Sequence, residues 1–141
     1  MKRTAKAVWS GDLKTGTGAL DTQSGALTGQ PYSFKTRFED ESGRSGTNPE
    51  ELIGAAHAGC FAMQLSHFLA ENGTPADKLE ASAAVELIPG TGITGSALTL
   101  VATVPGIDEA TFQALATKAK ENCPVSKALG AIAVSLDARL G

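Results

Sequence analysis

Apolar and polar residues alternate over two parts of the chain, the first forty residues and the stretch from residue 79 to 104, whereas residues 48–71 are apolar almost without a break. Glycine-rich "SGDLKTGTGALDTQSGALTGQP" (residues 10–31) lies between alternating runs, and this predicts a small meander of antiparallel strands. In "YSFKTRFED", Tyr32, Phe34, Thr36 and Phe38 fall on one face and Lys35, Arg37 and Glu39 on the other. That period of two predicts a half-buried strand with Arg37 directed away from the core of its own sheet.

Asn48, Pro49 and Glu51 match the N-cap, N1 and N3 positions of a capping-box helix start, with Glu50 also in the first turn, where a carboxylate suits the helix dipole. From Leu52 to Met63 the only strongly polar side chain is His57. A helix apolar all round is one surrounded by protein. Running to residue 71, it extends roughly 33 Å, nearly the width of a small domain. One small sheet is hard put to cover it, so a second subunit is expected against it.

Beyond "ENGTPADK", the runs "EASAAVELI" and "SALTLVATV" flank the turn-rich "PGTGITG" and predict a hairpin. Asp108 can cap a further helix, with Ile107 and Phe112 as a hydrophobic staple and Phe112, Leu115, Ala116 and Ala119 as its apolar stripe. That helix should end near Asn122. "CPVSKALG" then predicts a short helix with Cys123 at the N-cap, Pro124 at N1 and Gly130 as terminator, before a last strand in "AIAVSLDARL". Strands, long helix, strands, helix and strand make an α+β chain rather than a βαβ repeat, read as one domain over residues 1–141.

At 141 residues such a domain buries roughly two-thirds of its unfolded surface and needs neither disulfide nor metal for a core. A net charge of −3, without basic runs, argues against nucleic acid as a partner. The start "MKRTAKAVWSGD" lacks the apolar run of a secretory signal, and no stretch reads as a membrane span, so the expected location is the cytosol. There the two cysteines should stand reduced, which leaves a catalytic, redox or metal role, or none.

Cys60, in "GAAHAGCFAM", reads by itself as an inert buried thiol. Cys123, at a helix start, is placed where backbone N–H groups favour a thiolate. If both reach one pocket, a thiolate can open a peroxide, leaving a sulfenic acid that the second thiol converts to a disulfide for an outside dithiol to reduce. Zinc competes, since His57, Cys60, His67 and Cys123 supply four ligands in number. On a straight helix, however, Cys60 and His67 stand about 10 Å apart along the axis and cannot share one ion. His57 reads as a hydrogen-bonded interior histidine. A reactive thiolate needs a cation nearby and a group to orient it: Lys35, Arg37 and Arg44 are candidates for the first, Glu50 and Glu51 for the second.

Two segments, "QPYSFKTRFEDESGRSGTNPEELIGAAHAGCFAM" and "VPGIDEATFQALATKAKENCPVSKAL", resemble the osmotically inducible protein C (OsmC) branch of the OsmC and organic hydroperoxide resistance family. The resemblance extends over essentially the whole chain. It implies antiparallel sheets around a long buried central helix, an intertwined homodimer, and a thiol-dependent peroxidase acting on organic hydroperoxides, and less well on hydrogen peroxide, in stress defence. It implies no haem, flavin or metal, and an external dithiol reductant such as a dihydrolipoyl group or a lipoylated protein. Carried over by position, Cys60 matches the peroxidatic cysteine, Cys123 the resolving cysteine, Arg37 the arginine that holds the thiolate, and Glu50 its carboxylate partner. The loop "EDESGRSGTNPE" is longer than usual in this branch and introduces Arg44, and Gly59 stands where alanine is common.

Helix geometry adds a step. Glu50 and Cys60, ten residues apart on one straight helix, are separated by about 15 Å along its axis and roughly 80° around it. If Glu50 serves Cys60, it should come from the other subunit. The alternative from another class is a non-enzymatic dimer that binds small apolar ligands and keeps its thiols inert.

Overall fold

The computed structural model describes residues 1–141 and divides into two compact units, Met1–Leu52 and Ile53–Gly141. In the first, strands β1 (Ala5–Ser10), β2 (Thr17–Thr22) and β3 (Gln30–Tyr32) form the expected antiparallel meander in the order β1-β2-β3. Asp12 builds the β1–β2 turn by accepting the amides of Lys14 and Thr15 at 2.8 and 3.0 Å. Gly18 lies in register between Trp9 and Tyr32. A Cβ there would fall 2.2 Å from the Tyr32 ring, so only glycine lets the two rings close over the strand, 5.4 Å apart between centroids.

The strand expected over residues 32–39 ends at Tyr32, and Phe34–Phe38 form a short helix, α1. The reason is local. Ser33 and Thr36 make a reciprocal capping box, Ser33 Oγ accepting the Thr36 amide at 3.2 Å and Thr36 Oγ1 accepting the Ser33 amide at 2.9 Å. Two hydrogen bonds to backbone outweigh a period-two pattern only a few residues long. Arg37 therefore projects from a helix, not from a sheet.

Helix α2 (Pro49–Glu71) begins as expected, with Asn48 Oδ1 accepting the Glu51 amide at 2.8 Å. Glu51 does not complete the box; its carboxylate accepts the Thr47 hydroxyl at 2.9 Å. The helix stops at Gly73, whose φ of 79° continues the chain in a conformation other residues avoid. An 18-residue stretch of the 23-residue α2 has mean hydropathy 1.2, so the helix is, contrary to expectation, long and apolar enough by length and composition to cross a membrane. Yet Phe61, Leu65, Phe68 and Leu69 on one face belong to the core of the second unit. The opposite face is left open within one chain, as expected of a helix that one small sheet cannot cover: Ala55, Ala56 and Gly59 are exposed and Met63 is 77% exposed.

In the second unit β4 (Lys78–Ile88) and β5 (Gly92–Thr103) form the expected antiparallel hairpin, and β6 (Ala133–Leu140) pairs with β5 in parallel. This sheet is therefore mixed where antiparallel pairing was expected. The segment from Val104 to Ile132 carries α3 (Glu109–Asn122) and α4 (Pro124–Ala128), a crossover long enough to bring the chain back in the same direction. Asp108 caps α3 by accepting the Thr111 amide at 2.9 Å. Leu98, Leu100 and Ala102 of β5 and Phe112, Ala116 and Ala119 of α3 complete the core with the buried face of α2.

Candidate active site

Cys123 ends α3 and begins α4. Its amide donates to Ala119 O at 2.8 Å, while its sulfur accepts the Ser126 amide at 3.4 Å, the N-cap role expected from "CPVS". Cys123 is fully buried. Cys60, partly buried on α2, packs against the same core cluster, of which Cys123 is a member, and both are free thiols. Two cysteines far apart in sequence are thus brought into one core.

Their acidities diverge. Burial pushes the Cys60 thiol up, and the hydrogen bond to Cys123 pushes it further in that direction, against the Val125 amide. Burial also acts to raise Cys123, but the hydrogen bond from Cys60, with the Ser126 amide and hydroxyl and the Val125 amide, brings it down. The two share protons as a pair. No cation of the second unit contributes at Cys60, so that unit by itself does not supply the charge that favours a thiolate.

His57, one helical turn before Cys60, is fully buried with both ring nitrogens occupied: Nδ1 lies 2.7 Å from Ser96 Oγ and Nε2 2.8 Å from Ser126 Oγ. It is the interior histidine expected. Burial holds its pKa below the ordinary imidazole value. No three His, Cys, Asp or Glu side chains converge as metal ligands, and His67 stands on the surface, 3.6 Å from Glu71.

Arg37 and Glu50 also meet, in the first unit. Arg37 Nε and Nη2 donate to the two Glu50 oxygens at 3.2 and 2.6 Å, a fork in which the Glu50 side chain is only 11% exposed. Such pairing fixes the plane of the guanidinium and leaves its remaining N–H groups free. The Arg37 guanidinium also lies 5.0 Å above the Phe38 ring. Trp9, Leu13, Tyr32, Phe34 and Phe38 line a hollow of about 280 Å³ beside it. Lys35, Arg44 and Glu51 take no part; Arg44 is exposed in a loop that Asp40 organises by accepting the Ser42 and Ser45 amides. Sequence reasoning missed Ser96, Ser126 and the aromatic hollow. Ser126 had a signal, being the N3 residue whose amide an N-cap cysteine accepts; Ser96, on a distant strand, had none.

A small α+β chain with two free cysteines in the core of one unit, and in the other a forked arginine–carboxylate pair beside an aromatic hollow, has the make-up of a thiol protein. The family model for OsmC-like proteins matches residues 40–137. Peroxiredoxin OsmC of Escherichia coli is 49% identical over 138 residues, 96% of this chain and 94% of that protein. Organic hydroperoxide resistance protein OhrB of Bacillus subtilis is 29% identical over 128 residues, covering 90% and 87% of the two chains. The crystal structure of OhrB superposes with a TM-score of 0.67 over 96% of this chain and 98% of that one. The chain belongs to the OsmC family.

Proposed function

We infer that this chain is a thiol-dependent peroxidase that reduces organic hydroperoxides, and hydrogen peroxide less well, as part of oxidative-stress defence. The observation that carries the reading is the placement of two free thiols, Cys60 and Cys123, in one apolar core. The relationship to Peroxiredoxin OsmC supports it. Cys60 attacks the terminal O–O bond as a thiolate: an S–O bond forms, the O–O bond breaks, and the alkoxide leaves and takes a proton as alcohol. Cys123 then attacks the Cys60 sulfenic acid, expelling hydroxide and closing a disulfide. An external dithiol, a dihydrolipoyl group or a lipoylated protein, returns both sulfurs to thiols. The two sulfurs and that dithiol balance the reaction with no further cofactor, and the cytosol, which keeps thiols reduced, is the fitting compartment.

Arg37 and Glu50 reach Cys60 from a second copy of the chain. What supports this is the helical spacing of Glu50 and Cys60 and the exposed apolar face of α2. The Arg37 guanidinium stabilises the thiolate and holds the peroxide oxygens, Glu50 fixes its orientation, and the aromatic hollow receives the alkyl substituent. Stopped-flow oxidation of the reduced protein by cumene hydroperoxide and by hydrogen peroxide, with thiols counted before and after, tests the reading. Loss of two thiols per chain, faster with the organic peroxide, is expected. Two thiols that persist under excess peroxide would leave a binder of small apolar ligands, a reading that the aromatic hollow alone supports.

A further inference from the structure

His57 is a fully buried titratable side chain to which the peroxidase reaction gives no task. It stands on the core-facing side of α2, where leucine would pack without the cost of taking an imidazole out of water. Both of its nitrogens are spent on serines from other elements: Ser96 of β5 at 2.7 Å and Ser126 of α4 at 2.8 Å. Ser126 in turn gives its amide to the Cys123 sulfur at 3.4 Å. Because His57 precedes Cys60 by three residues on one helix, a single ring ties the element that carries Cys60 to the turn that carries Cys123.

We propose that His57, acting through Ser126, is a positioning residue for the resolving step, holding the Cys123 sulfur where it meets the Cys60 sulfenic acid before a second peroxide does. The inference rests on the peroxidase reading. With its proton on Nε2, the neutral ring accepts from the Ser96 hydroxyl and donates to Ser126 Oγ, which tethers Ser126 to α2. The tether holds in place the Ser126 amide that the Cys123 sulfur accepts at 3.4 Å, a hydrogen bond that favours a thiolate there. In the step itself the Cys123 thiolate attacks Cys60 sulfur, the S–S bond forms and the S–O bond breaks. The hydroxide that leaves combines with the proton Cys123 has given up, so the sulfenate sulfur is reduced and the Cys123 sulfur oxidised, with water as the product.

Single-turnover oxidation by cumene hydroperoxide separates this role from plain packing, following sulfenate formation as a first phase and disulfide closure as a second. Ser126→Ala keeps the backbone amide on Cys123 and removes only the hydroxyl. With the tether to His57 gone, it is expected to leave the first phase as in the parent, slow the second by about tenfold, the upper worth of one neutral hydrogen bond, and raise the fraction of sulfinic acid. His57→Leu should do the same, whereas His57→Gln, whose amide nitrogen can reach the place of Nε2, should restore most of the second-phase rate. A packing role predicts the reverse order, with leucine better than glutamine. Disulfide closure at the parental rate in both Ser126→Ala and His57→Leu, or an equal slowing of both phases, overturns the proposal. Should the His57 variants fail to fold, Ser126→Ala decides it alone. A parent protein that keeps both thiols refutes the peroxidase reading, whereas a parent that forms the disulfide beside unimpaired variants refutes this inference only.

Discussion

The two units of the chain carry different chemical equipment. Unit Met1–Leu52 carries an oriented guanidinium and an aromatic hollow but no cysteine; unit Ile53–Gly141 carries two free thiols in one core, and none of its own cations acts on either. The Arg37–Glu50 fork is built from neighbours in space that depend on a capping box, whereas the thiol pair is built into a hydrophobic core. A charged device is kept near the surface and a sulfur device is kept dry. Burial raises the Cys60 pKa, so on the proposed reading its reactivity is conferred by a positive charge brought to it from the partner chain.

The largest effect is expected at the nucleophile. Cys60→Ser should abolish peroxide consumption, measured against the rate with no protein. Arg37→Met should slow the peroxide step by about hundredfold, comparable to removing one electrostatic stabiliser from other active sites, and Glu50→Gln by about tenfold, since it acts only through Arg37. The Arg37→Met rate should recover as pH rises toward the ordinary thiol range, because the missing charge no longer favours the thiolate. Mixing Cys60→Ser and Arg37→Met chains through co-refolding should restore roughly a quarter of the parental activity, because in a two-fold dimer half the assemblies are mixed and each has one intact site. No recovery would place the whole site within one chain.

Cys123→Ser acts later. It should leave the first oxidation of Cys60 intact and stop at one sulfenate per site, which excess peroxide drives to sulfinic acid, as intact-protein mass spectrometry would read. Equal steady-state rates in this variant and its parent would remove Cys123 from the reaction.

A smaller effect follows from His57. Its folded-state pKa lies below the unfolded value of 6.5, so the neutral ring stabilises the fold fully above that pH. Acidification through 6.5 lets the unfolded chain take up a proton that the folded one refuses, and stability falls by at most about 1.4 kcal/mol per pH unit from this group. Urea denaturation from pH 7.5 to 5 should show the slope in the parent, and His57→Gln should lose that part of it.

Much of this arrangement was legible in the sequence because it is written in short-range signals. The N-cap residues Asn48, Asp108 and Cys123 each take up the expected amide, and the extent of α2 follows from its caps and its apolar run. The roles of Arg37 and Glu50 came from resemblance, since spacing gave only a surface arginine and a first-turn carboxylate. The misreading of residues 32–39 as a strand arose because a period of two over a few residues cannot compete with the Ser33–Thr36 box. The parallel placement of β6 and the bond between His57 and Ser96 depend on how distant segments pack, which no local pattern encodes.

Two glycines on α2 give the last and smallest test. A Cβ on Gly54 would lie 2.9 Å from the Ala83 carbonyl oxygen, so Gly54→Ala forces α2 away from β4 and should destabilise the chain by about 1–3 kcal/mol. A Cβ on Gly59 meets nothing within 4 Å in the protomer. Gly59→Ala should therefore stabilise an isolated chain by about 0.8–1 kcal/mol, the helix-propensity difference alone. Gly59 adjoins the reactive cysteine on the exposed face of α2, which is where a second copy would approach. If denaturation at low protein concentration shows the gain and sedimentation shows weakened association, glycine is kept there for close contact between chains. A gain with unchanged association would place the interface elsewhere on the helix, and with it the route by which Arg37 reaches Cys60.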